Sequence, residues 1–177
     1  GDREFCMDEK VRKEIAKAIE HAIRTETDGQ HFYLMAAQAT TDPKGKEVFG
    51  QLAAEEQDHR RFLEHQRKHI LEHGAVDSAF SIKHIAQLDG DNPIFSADLR
   101  KRAKEAHFEM SALSIGIQLE INSRAYYEQQ ADAAPDAEVK KFFQFLADWE
   151  GGHYQALLTQ HDSLKEDYWA DANFAPF

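Results

Sequence analysis

Glu55-Glu56-Gln57-Asp58-His59 and, 94 positions later, Trp149-Glu150-Gly151-Gly152-His153 decide how this chain is read. In each stretch a glutamate precedes a histidine by three residues, which on a helix puts both side chains on one face. Each stretch has an upstream companion: Glu26 stands 30 residues before Glu56, and Glu120 stands 30 before Glu150. Tyr33 follows Glu26 by seven positions, and Tyr127 follows Glu120 by the same seven. Four glutamates, two histidines and two tyrosines thus recur as two matching halves.

Working outward, four long helices are expected. The first runs roughly from Asp8 to Thr40, with Ile15, Ile19, Ala22 and Ile23 at helical spacing. Pro43 ends it and suits the first turn of the next, which runs to about His73, before Gly74. A connection over about residues 75–95 follows, with a possible short helix over Ser81–Leu88 and a turn at Asp89-Gly90-Asp91-Asn92-Pro93. The third helix is expected from Ser96, as N-cap, to Ala133, and the fourth from Pro135 to about Tyr168. The aromatic tail over residues 169–177 is expected to pack on the bundle or on a partner. This is an all-α, single-domain reading. Two helical hairpins, about 8–73 and 96–168, are joined by a long crossover in the connectivity of a ferritin-like four-helix bundle.

The geometry of the first hairpin closes. Glu26 lies about 15 residues, or roughly 22 Å of helix, before the turn, and Glu56 about 13 residues, or roughly 20 Å, after it. Both glutamates therefore return to one level, and the second hairpin repeats the match around Ala134-Pro135. One Glu-x-x-His is expected by chance in so acidic a chain, but two with matching companions are not. Glu56 and His59 sit between Leu52 and Leu63, and Glu150 and His153 between Leu146 and Leu157. Carboxylates on such faces need a positive charge, which divalent metals supply. A glutamate on each of two helices plus Glu-x-x-His on each of the others is a dimetal carboxylate pattern. In it Glu56 and Glu150 bridge, Glu26 and Glu120 are terminal, and His59 and His153 each cap one ion. Tyr33 and Tyr127 are placed to hydrogen-bond ligating carboxylates and to take part in catalysis.

The stretches Glu26–Tyr33 and Glu55–His59 resemble those of the rubrerythrin-like proteins of the ferritin-like superfamily. The resemblance covers about residues 10 to 165. It implies two iron ions, with manganese or zinc as substitutes, and reduction of hydrogen peroxide or dioxygen. Two departures stand out. Rubrerythrins place an extra glutamate one turn before Glu120, where this chain has Ile117. The four-cysteine rubredoxin domain has no counterpart, which implies an external electron donor such as a rubredoxin-like protein. The ligand set is equally similar to that of bacterioferritin, so ferroxidase and iron storage is the alternative, with a metal-binding bundle lacking catalysis a third. No methionine lies near Glu56 to suggest a haem ligand, so no haem is expected.

The remaining features bound the partners. Net charge is −11, which argues against nucleic acid and anionic membranes. A single cysteine, Cys6, excludes a disulfide framework within the chain. With no apolar leader or membrane-length stretch, a cytoplasmic protein is expected, by default a homodimer. His65, His69 and His73 form a stripe read as a solvated face. Glu55 reads as lying off the core face and non-ligating. Arg124 or Gln30 could tune a terminal carboxylate. Gly151-Gly152, inside a helix, points to close packing of a neighbouring helix.

Overall fold

Asp8 accepts a hydrogen bond from the Val11 N–H at 2.9 Å and so starts α1, Glu9–Ala39. Thr40 turns extended, and Asp42 caps α2, Pro43–His73, by accepting the Gly45 N–H at 2.9 Å. Gly74 closes α2 in the left-handed region at φ 71°, where a β-carbon would be strained and would also lie 2.6 Å from the Arg12 side chain. This is a computed structural model, and it describes residues 7–82 and 94–173. The expected turn at Asp89–Pro93 and Cys6 lie outside the described residues. So does most of the proposed Ser81–Leu88 helix, of which Ser81 and Ile82 are not helical.

The third long helix is not continuous. Ser96 does cap a helix, but that helix, α3, spans only Ala97–Lys101. A 3-10 turn at Ala103–Glu105 follows, and α4 runs over His107–Asp132. Lys, Arg, Ala and Glu are good helix formers, so local propensity does not cause the break. Tertiary contacts do. Ala103 and Ala106 are fully buried, Arg100 Nε donates to Asp167 at 2.7 Å, and the Lys104 N–H donates to Asp171 at 3.2 Å. The broken segment thereby wraps the end of α5, Ala137–Asp171. That helix is capped by Asp136 and continues three residues past the expected end at Tyr168. Tyr168 packs against the core, and Lys165 lies 5.3 Å over the Trp169 ring.

Helices α1 and α2 form one hairpin, α4 and α5 the other, and α1 also meets α4. The core is in two parts. One gathers Phe49, Leu52, Leu113 and Leu157; the other gathers Ile19, Phe62, Leu63, Phe143 and Leu146. The crossover is tied at both ends by glutamines that are themselves 94 positions apart. Gln66 exchanges two 2.9 Å bonds with the Asp77 backbone, and Gln160 accepts the Ile94 N–H at 2.8 Å.

Candidate metal centre

Between the two halves of the core lies a layer of charge. Helix α1 contributes Glu26, α2 Glu56 and His59, α4 Glu120, and α5 Glu150 and His153. All six are 5% exposed or less. Their oxygens and nitrogens fall into two groups of four: Glu26, Glu56, His59 and Glu150, and Glu56, Glu120, Glu150 and His153. Within each group the ligand atoms lie within 4.8 Å of one another. Glu56 and Glu150 belong to both, which is the placement a bridging carboxylate needs.

Both imidazoles turn Nδ1 inward. His59 Nδ1 is 3.3 Å from Glu26, 3.4 Å from Glu150 and 3.6 Å from Glu56. His153 Nδ1 is 3.7 Å from both Glu56 and Glu120. The two rings stack at 5.4 Å between centroids, 8° from parallel. His153 Nδ1 and Glu150 Oε1 are buried without a hydrogen-bond partner. Buried polar atoms left this way are costly, and bound cations would satisfy them. Ligands about 2.0–2.2 Å from one divalent ion stand about 3–4 Å apart, as these do. The residues therefore fit a pair of metal ions.

The tyrosines cross between hairpins. Tyr33 Oη, on α1, donates to Glu120 on α4 at 2.5 Å. Tyr127 Oη, on α4, donates to Glu26 on α1. Each phenol thus fixes the helix-α1 or helix-α4 glutamate of the other half. Burial and the facing carboxylates push both phenols well above the usual tyrosine range, so they stay protonated.

The carboxyls divide into two kinds. Burial raises Glu56 and Glu150 well above the usual range, and the neighbouring Glu26 and Glu120 charges add to this. Burial opposes ionisation of Glu26 too, but hydrogen bonds from Glu56, His59 and Tyr127 outweigh it and hold Glu26 to about 2. Glu120 is lowered in the same way, against burial, by His153, Glu150 and Tyr33. Burial works against the His153 cation, yet the charges of the Glu120 and Glu55 carboxylates and the hydrogen bond to Glu55 raise it to about 10. Without a cation, protons on Glu56, Glu150 and His153 reduce the negative charge of the layer. Binding metal must release them.

Four expectations need correcting. Glu55 does not lie off the core: it is 6% exposed, and its Oε2 is 2.7 Å from His153 Nε2. The buried arc of α2 runs from Leu52 and Ala53 through Glu55 and Glu56 to Phe62 and Leu63, wide enough to face two neighbouring helices. The signal available in sequence was a charged residue directly beside a ligand. Arg124 touches neither terminal carboxylate; it donates to Glu128 at 2.9 Å. Close packing explains only one of the paired glycines. A β-carbon on Gly151 would lie 3.3 Å from the Arg124 guanidinium, whereas one on Gly152 would meet nothing within 4 Å. The histidine stripe is not simply solvated. His65 pairs with Asp77 at 2.8 Å and His69 with the Ala75 carbonyl at 2.9 Å, pinning the start of the crossover. Ile117 is partly buried against the apolar core.

A bundle of two hairpins enclosing paired four-ligand groups that share two glutamates defines a dimetal carboxylate protein. The rubrerythrin family model matches residues 17–161, and the chain belongs to that family. Comparison with curated proteins returns no match, and neither does comparison with solved structures. None of the described helices is long and apolar enough to cross a membrane.

Proposed function

We propose that this protein is a di-iron oxidoreductase that reduces hydrogen peroxide, or dioxygen in its place. The observation that carries the reading is the pair of buried ligand groups sharing Glu56 and Glu150. Glu26, Glu56, His59, Glu120, Glu150 and His153 would hold two iron ions, which would supply the two electrons that, with two protons, convert peroxide into two waters. An external donor such as a rubredoxin-like protein returns the electrons.

The chain's own residues prepare the site. Leu52, Leu63, Leu146 and Leu157, all buried, wall the charged layer above and below and exclude bulk water. Tyr33 and Tyr127 hold their protons at Oη and keep Glu120 and Glu26 oriented. His59 and His153 present Nδ1. Ile117 adds no seventh carboxylate on α4, so the reading does not depend on one exchanging between ions. We further propose, as the default for such a bundle, that the protein acts in the cytoplasm as a homodimer.

Anaerobic ferrous titration followed by stopped-flow mixing tests this. Two irons per chain and faster oxidation by peroxide than by air-saturated buffer are expected. Oxidation by dioxygen alone, coupled to a ferric mineral in a large shell, would replace this reading with iron storage.

A further inference from the structure

The two halves of the centre match in every ligand but not in what stands behind the histidines. His153 Nε2 meets the Glu55 carboxylate at 2.7 Å, and Gln51 Nε2 donates to the other Glu55 oxygen at 3.1 Å. At the positions 94 residues later stand Phe145 and Trp149. There the Trp149 ring lies 3.5 Å from the His59 ring, centroid to centroid, and Phe145 packs on Trp149 at 5.5 Å. His59 Nε2 is buried with no hydrogen-bond partner. One imidazole is thus held by a polar pair and the other by an aromatic pair.

This difference acts on the metal ligands. A carboxylate accepting from Nε2–H fixes the tautomer that leaves Nδ1 free to ligate, holds the ring's orientation, and raises its basicity. Glu55 also adds a negative charge beside one ligand group only. His59 has neither aid, and its outward nitrogen sits against a ring. We infer that the two metal positions are unequal: the Glu56–Glu120–Glu150–His153 position fills first and holds its ion tightly, with Glu55 as its positioning residue. The Glu26–Glu56–Glu150–His59 position fills second and exchanges. This rests on the dimetal reading above but not on any particular oxidant. It goes beyond it by assigning an order to the ions and a role to Glu55 and Trp149.

Cobalt(II) added to the metal-free protein, followed by visible absorption and calorimetry, tests the order without reference to turnover. Two steps are expected, the first tighter. Glu55→Ala should weaken the first step by about 10–100-fold and leave the second nearly unchanged, with Glu55→Gln between them. Trp149→Glu should instead strengthen the second step and draw the two together, which keeps the test alive should Glu55→Ala fold poorly. In the cobalt-loaded protein a hyperfine-shifted, slowly exchanging N–H from His153 should vanish in Glu55→Ala alone. Two equal steps in the unaltered protein, or a first step indifferent to residue 55, would overturn the inference while leaving the dimetal site standing. Failure to bind cobalt at all would overturn both.

Discussion

Tyr33 and Tyr127 each touch one atom that matters. Replacing Tyr33 by Phe removes a hydroxyl that donates to Glu120 at 2.5 Å across the hairpin interface. A hydrogen bond to a charged group is worth about 1.5–3 kcal/mol, and Glu120 would keep its burial while losing a donor. Tyr33→Phe should therefore destabilise the metal-free protein by about that amount in urea, with a smaller loss when Glu120 is engaged by a metal. An equal loss with and without metal would contradict this role. At this scale the clustering of the six Glu and His side chains was legible, because Glu-x-x-His and its upstream glutamate recur in the linear order. Glu55 was not. Its partner His153 is 98 positions away, and a single helical face drawn through Glu56 and His59 is narrower than the arc that α2 buries.

Elements are set by caps more than by propensity. Asp42 does more than start α2: its Oδ2 accepts the N–H groups of Gly45 at 2.9 Å and Ser96 at 3.0 Å, and its Oδ1 accepts the Ser96 hydroxyl. One carboxylate thus joins the starts of α2 and α3, and Gly45 leaves room for Phe95, which a β-carbon would approach to 2.9 Å. Asp42→Ala should cost on the order of 2–3 kcal/mol, from a lost cap and two further hydrogen bonds. Chemical denaturation checks this, and a loss under about 0.5 kcal/mol, the usual size for a surface change, would refute it. The ends of α1 and α2 were legible because Asp8, Pro43 and Gly74 act locally. The break between α3 and α4 was not, because Arg102 to Ala106 favour helix and only packing on α5 interrupts them.

Over the whole molecule, the charged layer ties stability to pH and metal together. Glu26, lowered from 4.5 to about 2, and Glu120, also lowered, contribute stability above about pH 4.5 that is lost as pH falls towards 2. Glu56 and Glu150 are raised, so their contribution is present below about pH 4.5 and declines as pH rises above it. His153, raised from 6.5 to about 10, contributes below pH 6.5 and loses that contribution as pH rises through 10. The metal-free protein should therefore melt at progressively lower temperature from about pH 6 to 9. Added divalent metal replaces the bound protons, so the gap between metal-loaded and metal-free melting temperatures should widen with pH. Thermal melts in chelator and in excess metal would show it; a gap that narrows with rising pH would refute it.

The 94-residue spacing also carries a statement about history and symmetry. Each hairpin supplies three ligands to one group and one to the other, so two copies of a single ancestral hairpin could have built the same centre around a two-fold axis. In such a pair every residue has an identical twin, and both histidines must receive the same neighbour. Once the two copies are fused into one polypeptide, that constraint is gone, and residue 55 can become glutamate while residue 149 becomes tryptophan. The crossover is thus what permits one half of the centre to diverge from the other.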